Sequence, residues 1–162
     1  MGELYASAQR LTRCSLRLCF IVYFMYLSAS YFFAMWKYEK GEHRRKHTWS
    51  KTEAGFIGSH KGAQGMCPCG VSEKEAGEVL NRGIPLRDVS MELPDRIYAV
   101  FQGVIYEAVP DNTGKSYHAY PWRGDLRGRP RLPRVIINQL EKQAQAEGTE
   151  KEFKKWWKEY GQ

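Results

Sequence analysis

Arg96-Ile97-Tyr98-Ala99-Val100-Phe101, then Gln102-Gly103, then Val104-Ile105-Tyr106-Glu107-Ala108-Val109 is the stretch whose reading decides the fold. Both runs are rich in β-branched and aromatic residues that alternate with period two, and the glycine-containing pair between them suits a two-residue turn, so the stretch predicts a β-hairpin. Just downstream, Pro110-Asp111-Asn112-Thr113-Gly114 has turn chemistry, and 116–120 reads as a third strand stopped by Pro121. A loop over 122–133 follows.

Helical signals flank these strands. On the upstream side, Ser72 with Glu75 forms a capping box, Ala76, Val79 and Leu80 share one helical face, and Gly83 closes the helix. Pro85 and Pro94 bracket a loop before the hairpin. On the downstream side, Pro133 suits the first turn of a helix whose apolar side is Val135, Ile136, Ile137, Leu140 and Ala144, and Gly148 can end it. Thr149 with Glu152 reads as a second capping box, opening a helix with Phe153, Trp156, Trp157 and Tyr160 at helical spacing. The expected fold is α+β: a small three-stranded antiparallel sheet, one preceding helix, and a C-terminal helical pair covering one face.

Composition divides the chain near Met66. Of 162 residues with a formal net charge of +7, the first 65 carry +6 and the remainder +1, and all seven prolines lie at position 68 or later. Residues 18–36 run for nineteen positions without a charge; as a helix this is about 28 Å long, enough for a bilayer core. Three parts are therefore expected: an N-terminal segment 1–36 with a single transmembrane helix over 18–36, a basic flexible linker over 37–65, and a small α+β domain over 66–162. Lys37, Lys40, Arg44, Arg45, Lys46 and Lys51 outweigh Arg10, Arg13 and Arg17, which puts the C-terminal domain in the cytoplasm of a single-pass membrane protein. Two alternatives compete. Ser28-Ala29-Ser30 within this run resembles a signal cleavage site, although the apolar stretch continues past it to Trp36. A start at Met66 would instead leave a cytoplasmic domain alone.

Chemistry concentrates between Glu107 and Arg134. Lys115, Tyr117, Tyr120, Arg123, Arg127, Arg129, Arg131 and Arg134 combine stacking rings with guanidinium groups that bind phosphate in a planar, bidentate way. The expected partner is single-stranded nucleic acid, held as a polyanion by the arginine-rich loop 123–134. The plain alternative is a solvated loop whose arginines neutralise neighbouring acids. A sharper alternative is a metal-independent ribonuclease or toxin-like effector, with Glu107, His118 and Arg123 supplying base, acid and charge stabilisation at phosphorus. A third is a protein-interaction adaptor presenting Phe153, Trp156 and Trp157, against the simpler expectation that this stripe is core.

No cofactor or metal is expected. Cys67-Pro68-Cys69 with His43, His47 and His60 lacks the spacing of common zinc sites. Cys14 and Cys19 near the apolar run could take acyl groups. There is no glycine-rich phosphate loop, no H-E-x-x-H and no G-x-S-x-G, which argues against nucleotide-driven engines, the usual zinc proteases and serine hydrolases.

Overall fold

The computed structural model describes residues 36–41, 45–58, 62–86, 93–111, 114–126, 129 and 131–161. The expected membrane helix lies outside them except for Trp36, as do Cys14, Cys19, His43, His60 and Arg127. No helix among the described residues is long and apolar enough to cross a membrane.

The protein from Trp36 onward is α+β with two sheets. Strands β1 (Gly55–Ile57) and β2 (Gln64–Met66) form an antiparallel pair. Helix α1 (Glu73–Asn81) follows, then β3 (Ile84–Leu86), β4 (Arg96–Phe101), β5 (Val104–Pro110) and β6 (Tyr117–Pro121), all antiparallel in the order β3-β4-β5-β6. Helices α2 (Arg134–Ala146) and α3 (Glu150–Tyr160) complete the chain.

The main sheet thus has four strands where three were expected. The missed strand, β3, is three residues long and centred on Pro85, too short to show alternation. It survives because it is an edge strand, where a missing N–H costs little. The pair β1–β2 was missed for a different reason. Its glycines and polar residues carry no periodic signal, and Phe56 is placed by tertiary contact with the rings of Trp156 and Tyr160, 5.6 and 5.0 Å away. Residues 37–65, expected as a basic linker, therefore supply this hairpin in their described part.

The same stretch covers the outer edge of β6. The N–H of Glu39 donates to the Tyr117 carbonyl and Tyr117 N–H donates to Lys37 O. Further along, the buried Lys46 donates from Nζ to Ala119 O at 2.6 Å, and Gly65 of β2 is packed so closely on Pro121 that a Cβ would sit 3.0 Å from its ring. Such cover prevents the unpaired edge from recruiting another strand. Asn81, at the end of α1, fastens the start of this segment by bonding both the N–H and the carbonyl of Trp36.

Local signals account for most of the remaining shape. Gln102 and Gly103 both have positive φ, 52° and 75°, as the hairpin turn requires. Gly103 is needed twice over, because a Cβ there would collide with the backbone of α3 at Glu152 and Phe153. Ser72 caps α1 as expected, accepting from Glu75 N at 3.1 Å. The second expected capping box is not formed: Thr149 makes no side-chain cap to α3. It instead closes α2, its N–H reaching Ala144 O while Gly148, at φ 71°, donates to Gln145 O. That pair of bonds is a Schellman motif, and the very short α2–α3 connection makes Thr149 serve the preceding helix.

The sheet has two different faces. One holds Tyr98, Val100, Ile105 and Trp122 and is covered by Ile136, Leu140 and Ala144 of α2 and Phe153 and Trp156 of α3. The other holds Ile97, Ala108 and Tyr117 and meets Leu80 of α1, with Trp36 and Tyr38 packed alongside.

Candidate functional site

Register builds the site. Tyr98 pairs with Glu107 across β4 and β5, and Glu107 pairs with Tyr120 across β5 and β6, so three polar side chains stand in one row on one face. Arg96, two residues before Tyr98, points the same way. Glu107 is wholly buried, at 0% exposure. A carboxylate there is tolerable only when paired and hydrogen-bonded. Its Oε1 accepts from Arg96 Nη1 and, at 3.0 Å, from the Tyr98 hydroxyl. Its Oε2 lies 2.9 Å from Arg129 Nη1, an ion pair by distance although the two are not aligned as a hydrogen bond. The Arg129 guanidinium also lies 5.0 Å from the Tyr120 ring centre.

The electrostatics follow from this packing. Burial, together with the charge of Glu107, pushes the Tyr98 phenol well above its usual range and the Tyr120 phenol to about 12, with Arg129 partly opposing the latter shift. Burial alone would lower the Arg96 guanidinium, but its bond to Glu107 and the charge of that group outweigh the loss and raise it. Both tyrosines are thus neutral hydrogen-bond donors at physiological pH.

Arg123 forms a second anchor for the same loop. Its Nε and Nη2 each lie 2.6 Å from the Asp125 carboxylate, a bidentate pair that raises its pKa. Its guanidinium is buried 4.8 Å from the Phe56 ring and 4.9 Å from that of Tyr160. Gly124 N–H donates to Tyr160 O, and Leu132 enters the core, so both ends of the loop are fastened to the helical layer.

The expected site residues are distributed unevenly over this arrangement. Glu107 and His118 share a sheet face, since His118 pairs with Val109, two residues beyond Glu107 on β5. Arg123 does not join them. It lies past the opposite end of β6, five residues from His118, or roughly 16 Å of extended strand. The guanidinium groups on Glu107 are those of Arg96 and Arg129. Tyr117 is 2% exposed and donates its hydroxyl to Pro94 O, so it has no open ring face for a base. Tyr120 is half-buried beneath Arg129, Lys115 is exposed in the turn before β6, and Arg131 and Arg134 are both exposed. Phe153 and Trp156 are buried, with Trp156 Nε1 donating to Trp122 O at 3.1 Å, while Trp157 stacks on Trp122 at 6.0 Å and 10°. Among the described residues no group of three or more histidines, cysteines and acids is placed to hold a metal ion.

Sequence reasoning missed Arg96 and Tyr98 as partners of Glu107. The signal was available: in a period-two strand, Arg96 and Tyr98 must share a face, and a tight hairpin sets Tyr98 opposite Glu107. Comparison with protein-family models, with curated proteins and with solved structures finds no match to this chain.

Proposed function

We propose that this domain is a binding module for the backbone of single-stranded nucleic acid that does not cleave it, with Arg131 and Arg134 as its primary phosphate-binding groups. One observation carries the reading: the loop uses its arginines in two ways. Arg123 and Arg129 are held on Asp125 and Glu107, whereas Arg131 and Arg134 are exposed and pair with no carboxylate among the described residues. Exposed guanidinium groups not engaged by a carboxylate are available for planar, bidentate contact with phosphate. Glu107 argues against a cleavage role, since a fully buried carboxylate between two arginines has no route to a 2′-hydroxyl proton. Tethering through 18–36 belongs to the same proposal and rests on sequence alone.

The test is fluorescence anisotropy of a labelled single-stranded RNA with the full chain over a range of salt concentrations. Binding should weaken as salt rises, and Arg131→Glu with Arg134→Glu should flatten that dependence by about 0.7 in log–log slope for each phosphate no longer neutralised. His118→Ala should bind as the parent does, and the RNA should remain intact. Unchanged affinity in the double variant, or cleavage abolished by His118→Ala, would overturn the proposal.

A further inference from the structure

The first two turns of α2 carry three local choices that cost helix stability, and all three face solvent. Arg134 stands in the first turn, which holds no acid, although the positive end of the helix dipole disfavours a cation there. Val135 is 66% exposed, the most exposed of the large apolar side chains among the described residues. Its branched Cβ gives up χ1 freedom in a helix. Asn138, also exposed, is a weak helix former because its amide competes for backbone hydrogen bonds. Departures of this kind concentrate where a surface has a task other than folding.

The neighbouring helix shows what an ordinary solvated face looks like in this fold. Along α3 the exposed lysines are interspersed with Glu152 and Glu159, and Lys154 pairs with Glu150. The exposed face of α2 instead combines cations with neutral amides: Arg134, Asn138, Gln139, Lys142 and Gln145. Its one acid, Glu141, is half-buried. Other amides serve the fold, since Asn81 holds both backbone groups of Trp36 and Gln143 bridges Val100 N–H and Arg82 O. The Asn138 amide makes no such bond among the described residues. Arg134, Asn138 and Lys142 recur every four residues, so an amide stands between two cations on one side of the helix, with about 6 Å of rise from each to the next. Val135, three positions before Asn138, is its neighbour on the helix surface.

We infer that Asn138 reads a base of the bound strand and selects adenine, while Arg134 and Lys142 hold the phosphates on either side of it. A carboxamide has both an acceptor and donors, so it can accept from adenine N6 and donate to N7 in a bidentate pair. In a single strand the base can turn that edge toward the protein. Val135 supplies an apolar contact beside the amide. The inference rests on the nucleic-acid reading above and adds a sequence preference, which phosphate contacts alone do not give.

The test titrates the full chain into two labelled RNAs, an oligoadenylate and the same oligomer built with 7-deazaadenine, read by fluorescence anisotropy. The two have the same length and charge and differ only in whether N7 can accept a hydrogen bond. Oligoadenylate should bind about tenfold more tightly, the discrimination expected of one bidentate base contact. Asn138→Ala should abolish that preference while leaving affinity for the deaza oligomer, and its salt dependence, as in the parent. Alanine is the better helix former, so the thermal midpoint of this variant should not fall. Lys142→Glu should weaken both RNAs alike. Equal affinity of the parent for the two RNAs would overturn the inference and leave the nucleic-acid reading standing. A preference that persists in Asn138→Ala would also overturn it, and failure to bind either RNA would overturn both.

Discussion

The two faces of the four-stranded sheet solve the problem of a small interior in opposite ways. Beneath α2, α3 and the loop, the interior includes a fully buried carboxylate, and the space is closed by Trp122, Leu140, Phe153 and Trp156. Beneath α1, the interior is largely apolar, yet it retains a cavity, and the Tyr106 hydroxyl has no hydrogen-bond partner among the described residues. A polar interior has to be complete, because each missing partner is expensive. An apolar one can be left unfilled for a smaller loss.

The comparison breaks most readily at Glu107. Glu107→Ala should cost about 3–5 kcal/mol in urea denaturation, because Arg96 and Arg129 lose the charge that compensates their burial. A loss below about 1 kcal/mol would mean that the paired face does not depend on its carboxylate. Truncation on each face sharpens the contrast. Leu140→Ala, at a filled position with 0% exposure, should fall near the upper end of the usual range of about 2–5 kcal/mol. Leu80→Ala merely enlarges a space already present, so we expect its loss to be about 1 kcal/mol lower; equal losses would argue that the two faces are packed alike.

Alkaline pH reaches both faces. Tyr98 and Tyr106 have folded pKa values raised above the ordinary phenol value of about 10, so above that pH the unfolded chain releases protons that the folded chain retains. Stability is therefore fully present below about pH 10 and falls as pH rises, by about 1.4 kcal/mol per pH unit for each such phenol. Cys67 adds a similar fall from about pH 9. Denaturation midpoints between about pH 9 and pH 11 would show the decline, and a flat profile would contradict the burial of these groups. The smallest effect is the most discriminating. Tyr98→Phe should destabilise by about 1–2 kcal/mol by depriving Glu107 of a donor, whereas Tyr106→Phe should be neutral or stabilise by up to about 1 kcal/mol, since it removes an unpaired group. Thermal melts of the two variants at neutral pH would decide it, and a shared sign would erase the distinction between the faces.

The elements built on local chemistry were legible in the sequence: the hairpin at Gln102-Gly103, the Ser72 cap of α1 and the apolar sides of α2 and α3. Those created by tertiary contact were not. Strand β3 exists because Tyr98 and its neighbours offer it an edge, and β1 because Phe56 finds Trp156 and Tyr160. Thr149 shows how a correct local motif can be captured by the preceding helix when the connection is very short. At the site, Glu107 stood out as an acid on a strand, but whether it is a base or an anchor depends on which arginines reach it. Charge composition alone does not carry that information. The cavity was equally hidden, because unfilled space is a property of packing.

The most direct measurement of this account is a double-mutant cycle on Glu107→Gln and Arg129→Met, read by urea denaturation of the full chain. If the buried carboxylate anchors the arginine loop, the two losses will fail to add, with a coupling of about 2 kcal/mol. Coupling within about 0.5 kcal/mol of zero would show that Arg129 is not held by Glu107, and would contradict the division of the loop into anchoring and exposed arginines.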